Sequence, residues 1–229
     1  MWIVKELAGA AVWFAIVGAA VATAPLARAD EAIITAGAEI VAHGTVPGRA
    51  ACSSCHRQDG AGEPEVGIPR LAGLSPYYIA SQLEYFASGA RHSYVMSSYA
   101  AALTPAQRQE VAYYYASLPV PAPADPIPAP AAAVERGRTI FLNGDPHTGL
   151  LSCSQCHGTD GLGVGSFSPR LAGQSANYIL DQLRRWHDGE LRDPKGQYMR
   201  AIAGHLSADD MRAVADYAAS VPGQGKAQP

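Results

Sequence analysis

The sequence predicts an all-α protein built from two tandem copies of one small helical domain. Three observations carry that prediction: apolar residues recur at helical and not strand spacing, the chain repeats itself at an offset near 100 residues, and a proline-rich stretch separates the repeats. "GAEIVAHG" (37–44) lies opposite "GRTIFLNG" (137–144), and "PRLAG" begins at Pro69 and again at Pro169. "YYIASQLEYFASG" matches "NYILDQLRRWHDG" at an offset of 100, which widens to 103 before "AYYYASLP" and "ADYAASVP". Many landmarks with small shifts are the signature of a duplicated domain.

Taken from the N-terminus, the first element is a targeting segment. Lys5 precedes an uncharged run from Leu7 to Ala24, and Ala27-Arg28-Ala29 offers small residues at both positions a signal peptidase inspects. Residues 1–29 are therefore assigned to a signal peptide and the mature start to Asp30. An uncleaved anchor, and with it membrane association, is the competing reading, because the run approaches the ~20 apolar residues that span a bilayer. Both readings export the rest of the chain. The first domain then covers residues 30–120, a linker 121–130, the second domain 131–222, and a tail expected to be disordered 223–229. In "PVPAPADPIPAPAAA" (119–133) proline disfavours helix and makes a semi-rigid, extended spacer.

Inside each copy the helices announce their starts. Ser75-Pro76 supplies an N-cap and a first helical position, followed by Ile79, Leu83 and Phe86 on one helical face; the twin face is Ile179, Leu183 and Trp186. Thr104, Pro105 and Gln107 form a capping box for the last helix of copy one, with Ser207 and Asp210 a weaker version in copy two. Gly60, Gly62 and Gly67, with Gly161, Gly163 and Gly165, read as loop. Domains of ~90 residues with three or four short helices bury little apolar surface alone, so something else should fill their cores. At a net charge of -3 and a pI near 6.1, without a basic run, the composition speaks against nucleic-acid binding. Residues 30–130 hold nine acids against five bases and residues 131–229 ten against ten, so the negative charge sits on the first half.

All four cysteines fall in one device written twice, "CSSCH" at Cys52–His56 and "CSQCH" at Cys153–His157. Two thiols three positions apart can add to the vinyl groups of a haem while the adjacent histidine meets the iron, which makes Cys52, Cys55, Cys153 and Cys156 attachment residues and His56 and His157 iron ligands. Zinc would want its cysteine pairs closer together, a thioredoxin-like pair would want a βαβ setting, and two disulfides would leave the histidines unexplained. The chain thus reads as carrying two covalently bound haem c groups.

The sixth ligand separates carrier from enzyme. Met96 and Met199 are the two methionines in register, both in a stretch expected to be irregular before the final helix. Filling equivalent gaps in two cores is the plainer explanation, but a thioether opposite histidine is an established donor set that raises the reduction potential. His43, His92, His147, His187 and His205 have no partner at the repeat offset and are assigned to the surface or to caps, with His92 and His205 the nearest alternatives to the methionines. The carbonyls of Pro69 and Pro169 are suited to hold the Nδ1 proton of the iron histidine, with a plain loop turn as the alternative. Arg70 with Arg170, and Arg91 with Arg192, could meet haem propionates or simply be solvated.

The attachment motif, then "PRLAG", then "YYIASQL" or "NYILDQL" ending in Phe-x-x-Gly or Trp-x-x-Gly, then a methionine seven residues before a Leu-Thr or Leu-Ser helix start, resembles the dihaem cytochrome c4 family over nearly the whole mature chain. The resemblance implies two tandem class I cytochrome c-like helical domains, each wrapped around its haem, with His56 and Met96 on one iron, His157 and Met199 on the other, and Pro69 and Pro169 as the carbonyl partners. One departure stands out: copy two has "LAGQ" as the family does, whereas copy one has Leu74 in that place. The implied role is a periplasmic electron carrier without catalytic residues, between a donor such as a quinol-oxidising complex and an acceptor such as a terminal oxidase. The alternative is the haem subunit of a flavoprotein or other dehydrogenase, for example in sulfide oxidation; a dihaem enzyme is disfavoured by the methionine pair.

Overall fold

The computed structural model describes residues 24–121, 129–190 and 196–222. The apolar core of the targeting segment, most of the linker, the tail and Arg192 lie outside the described residues. Copy one contains α1 (Ala24–His43), α2 (Ser53–His56), a 3-10 turn (Pro64–Val66), α3 (Pro76–Ser88), α4 (Met96–Ala101) and α5 (Pro105–Ser117). Copy two contains α6 (Ala131–Asn143), α7 (Ser154–His157), α8 (Ala176–His187), α9 (Gly196–Ala203) and α10 (Ala208–Ser220). Isolated bridges such as Glu63 with Ile68 are the sole β pairing among the described residues, so the class is all-α. None of the described helices is long and apolar enough to cross a membrane.

Two features differ from the sequence reading. The stretches expected to be irregular around Met96 and Met199 are helical, as α4 and α9. Both are short, and α4 starts after Val95, which provides no side-chain cap. The helix α1 also begins at Ala24, upstream of the position assigned to the mature start.

Each copy is closed by pairing its first helix with its last, α1 on α5 and α6 on α10. Glycine makes the pairing close. A Cβ on Gly37 would overlap the backbone carbonyl of Glu110, and one on Gly137 would overlap that of Ala213, so the two backbones touch where a side chain would hold them apart. The Thr104 hydroxyl accepts from Gln107 N–H at 3.2 Å while the Gln107 side chain accepts from Thr104 N–H at 2.9 Å, a complete capping box that starts α5. Asp210 N–H donates to Ser207 Oγ at 3.1 Å at the start of α10.

Two separate apolar cores result. The first gathers Val41, Leu74, Ile79, Leu83, Phe86 and Tyr115, among others, and the second Ile140, Phe141, Ile179, Leu183, Leu206 and Val214. The halves meet along the start of α8. Ser175 Oγ donates to the Pro64 carbonyl at 2.9 Å, Asn177 Nδ2 to the Glu65 carbonyl at 2.9 Å, and Tyr77 and Phe167 pack edge to face at 4.9 Å.

Candidate haem centres

The attachment sequence folds as a single helical turn in both copies. Backbone N–H of His56 donates to Cys52 O at 2.9 Å and that of His157 to Cys153 O at 2.9 Å, which sets both cysteines and the histidine of each unit on one tight turn. Cys52 packs against the first core and Cys153 against the second, while Cys55 and Cys156 are exposed. No disulfide joins the four cysteines, so all of them remain for attachment. Burial pushes the Cys52 thiol up and the Cys153 thiol up to about 11. A reactive redox cysteine has a depressed pKa, the opposite of the direction at Cys52 and Cys153.

The histidines are set up as neutral donors to a metal. His56 and His157 are buried, and burial holds both below the ordinary imidazole range despite a nearby carbonyl that raises them. That carbonyl belongs to Pro69 in copy one, 3.1 Å from His56 Nδ1, and to Pro169 in copy two, 2.8 Å from His157 Nδ1. A carbonyl accepts only, so Nδ1 carries the proton and Nε2 keeps its lone pair. Glycines deliver the proline: Leu71 N–H and Ala72 N–H both donate to Gly60 O, and the same pair in copy two, Leu171 and Ala172, donates to Gly161 O. At Gly60 φ is +68° and a Cβ would press on Ala72 N, so this position admits glycine alone.

Met96 packs, partly buried, on the core that holds Cys52, and Met199 on the core that holds Cys153. Each copy therefore brings an attachment cysteine and an in-register methionine to one core, with the histidine buried on the turn that carries the cysteine. Among the described residues no three histidines, cysteines or carboxylates converge in a metal cage. Tyr115 is fully buried, sits edge-on to the His56 ring at 6.4 Å, and its hydroxyl has no hydrogen-bond partner.

The arginines are not solvated. Arg70 is 4% exposed and Arg170 1% exposed. Arg70 Nη2 donates across the domain boundary to Ala172 O at 2.8 Å, but its Nε and Nη1 are buried without a partner. Burial first, and then the neighbouring Arg170 charge, brings Arg70 down to about 10. A buried guanidinium with open donors beside a second guanidinium calls for an anion, and a haem carboxylate is of the right kind. The polypeptide thus fits the haem reading through its thiol spacing, its neutral histidines and its orphaned cationic donors.

The domain boundary holds residues whose function the sequence did not disclose. Gln174 Oε1 accepts from Arg70 N–H at 2.9 Å and its Nε2 donates to Arg70 O at 2.9 Å, while Leu74, its counterpart, is buried in the first core. The polar contact in question for copy one is thus absent from Leu74, and the Gln174 amide serves copy one from the other side. Arg91 is buried and donates to Gln82, Tyr178 and Gln182. The one visible signal was the mismatch of Leu74 with Gln174.

The sequence profile of the cytochrome c family matches residues 134–222. The chain is 43% identical over 182 residues to the thiosulfate dehydrogenase electron acceptor of Thiomonas intermedia, covering 77% of this chain and 81% of that protein. It is 35% identical over 171 residues to cytochrome c4 of Thiocapsa roseopersicina, covering 72% and 84%. A solved structure of thiosulfate dehydrogenase from Marichromatium purpuratum superposes with a TM-score of 0.75 at 40% identity over 82% of this chain, which spans only 40% of that longer chain. With two attachment turns, two buried histidines and two cores arranged in tandem, this chain belongs to the dihaem cytochrome c4 family, electron-transfer proteins that carry covalently bound haem c.

Proposed function

We propose that this cytochrome works in the periplasm as the electron acceptor of a sulfur-compound dehydrogenase, with thiosulfate dehydrogenase the first candidate, and passes the electrons to a terminal acceptor such as an oxidase. The observation that carries this reading is the 43% identity to a thiosulfate dehydrogenase electron acceptor, above the 35% to a cytochrome c4. The match to part of a thiosulfate dehydrogenase chain supports it. Oxidation of sulfur compounds releases electrons in pairs, and two one-electron centres suit that delivery.

In this reading His56 with Met96 would hold one iron and His157 with Met199 the other, and the four cysteines would fix the cofactor. The bound haem supplies a one-electron ferric/ferrous couple. The chain's own residues prepare the histidine ligand: burial and the Pro69 and Pro169 carbonyls hold each imidazole neutral and oriented. With a histidine and a methionine both in place, no position would remain for substrate, which suits outer-sphere transfer. The buried Arg70 would meet a haem carboxylate.

The test is reduction of the ferric protein by a catalytic amount of thiosulfate dehydrogenase plus thiosulfate, followed in the visible haem bands. Both haems should be reduced at a rate that rises with dehydrogenase concentration. The family match to cytochrome c4 favours a second reading, a free carrier fed by a quinol-oxidising complex. Reduction by that complex, with none by the dehydrogenase, would establish the second and overturn the first.

A further inference from the structure

The segment leading into α4 is fastened to the opposite domain. Arg91, five positions before Met96, is 6% exposed and points into α8: Nη2 donates to Gln182 Oε1 at 2.6 Å and to Tyr178 Oη at 3.1 Å. Its Nη1 donates to Gln82 Oε1 at 2.7 Å, and its guanidinium lies 4.4 Å over the Phe86 ring. One residue on, His92 O accepts from Arg185 Nη1 of α8 at 3.5 Å. Ser93 N–H then donates to Ser97 Oγ at 3.0 Å, and Ser93 Oγ accepts from Met96 N–H at 3.1 Å. An unbroken run of contacts therefore leads from the second domain, through Arg91, His92 and Ser93, to the backbone of Met96.

We propose that Arg91 is a positioning residue for Met96, through which docking of the second domain on the first keeps the first haem's thioether ligand in place. This rests on the reading of Met96 as that ligand. Gln82 and Gln182 occupy equivalent places in the repeat, yet both accept from the same guanidinium. A second arginine brought to the same pair of oxygens would collide with the first and repel it, so the site admits one. The dependence is thus one-sided: the first haem leans on the second domain at this point. The three hydrogen bonds donated by Arg91, the Arg185 bond to the His92 carbonyl and the ring contact hold a segment that is otherwise exposed at Tyr94 and Val95, and a hydrogen bond to a charged group is worth enough to shift a local opening equilibrium about tenfold or more.

The experiment measures imidazole binding to the ferric full-length holoprotein, because an exogenous base enters only when the methionine leaves. Arg91→Gln is compared with Gln182→Leu and with the milder Tyr178→Phe, both of which lie in the second domain. Imidazole binding should accelerate about tenfold or more at one of the two haems in Arg91→Gln and Gln182→Leu, and by less in Tyr178→Phe, with the other haem unchanged. Met96→Ala should expose that same haem outright, and adding Gln182→Leu to it should bring no further acceleration. Equal acceleration at both haems, or none in the two second-domain variants while Met96→Ala is fast, overturns the positioning role alone. An unaltered Met96→Ala overturns the ligand reading, and this role with it.

Discussion

At the scale of single residues, the contact that joins the halves is written once and not twice. Gln174 supplies an amide that satisfies both the N–H and the carbonyl of Arg70, and Leu74 in the equivalent place feeds an apolar core. Replacing Gln174 by Leu leaves two buried backbone groups unsatisfied at a cost of about 1–3 kcal/mol each. The expected outcome is a lower melting temperature and a calorimetric transition that splits in two as the halves uncouple; a single unshifted transition would contradict it. Met96→Ala and Met199→Ala should each remove about half of the weak far-red sulfur-to-iron charge-transfer absorption of the ferric protein, if each thioether serves one iron. No loss in either variant would reopen the methionines as core filler.

At the scale of elements, the helix crossings set the tolerance to change. Alanine normally stabilises a helix interior over glycine by about 1 kcal/mol. At Gly37 and Gly137 the sign should reverse, because the added Cβ falls on the carbonyl of the crossing helix. Thermal unfolding of Gly37→Ala and Gly137→Ala checks this, and a gain in stability would show that the helices can separate without cost. Thr104→Ala removes the Gln107 cap and should cost roughly 1 kcal/mol. Elements of this kind were legible in the sequence, since Pro76 at the first helical position, the Thr104 box and the "PRLAG" repeats are local signals that act within a few residues, although Ser75 takes the N-cap position without its hydroxyl making a capping bond. The helical state of the Met96 and Met199 segments was not, because such short turns draw on tertiary packing more than on propensity. The roles of Arg91 and Gln174 were also hidden. Aligning the copies shows which residues are equivalent, and not that Arg91 meets Tyr178 and Gln182 of the other copy or that Gln174 meets Arg70.

At the scale of the whole molecule, charge is divided unevenly, with nine acids against five bases in residues 30–130 and ten against ten in residues 131–229. A partner with a basic face should approach the first half, and stopped-flow association rates should fall as salt shortens the reach of that field from about 10 Å at 0.1 M ionic strength. Rates independent of salt would assign docking to the neutral half or to apolar contact. The pairing of α1 with α5 and of α6 with α10 has a consequence for how the protein is made. Each attachment turn lies in sequence between a first helix and the last helix that comes back to pair with it. A chain delivered N-terminus first keeps Cys52, which packs on the first core, open to a ligating enzyme until its domain closes, and Cys153 likewise in the second, whereas Cys55 and Cys156 stay exposed after closure. The first attachment turn is delivered with all of α1 to α5 before the second is made, so loading at Cys52 is expected to precede loading at Cys153.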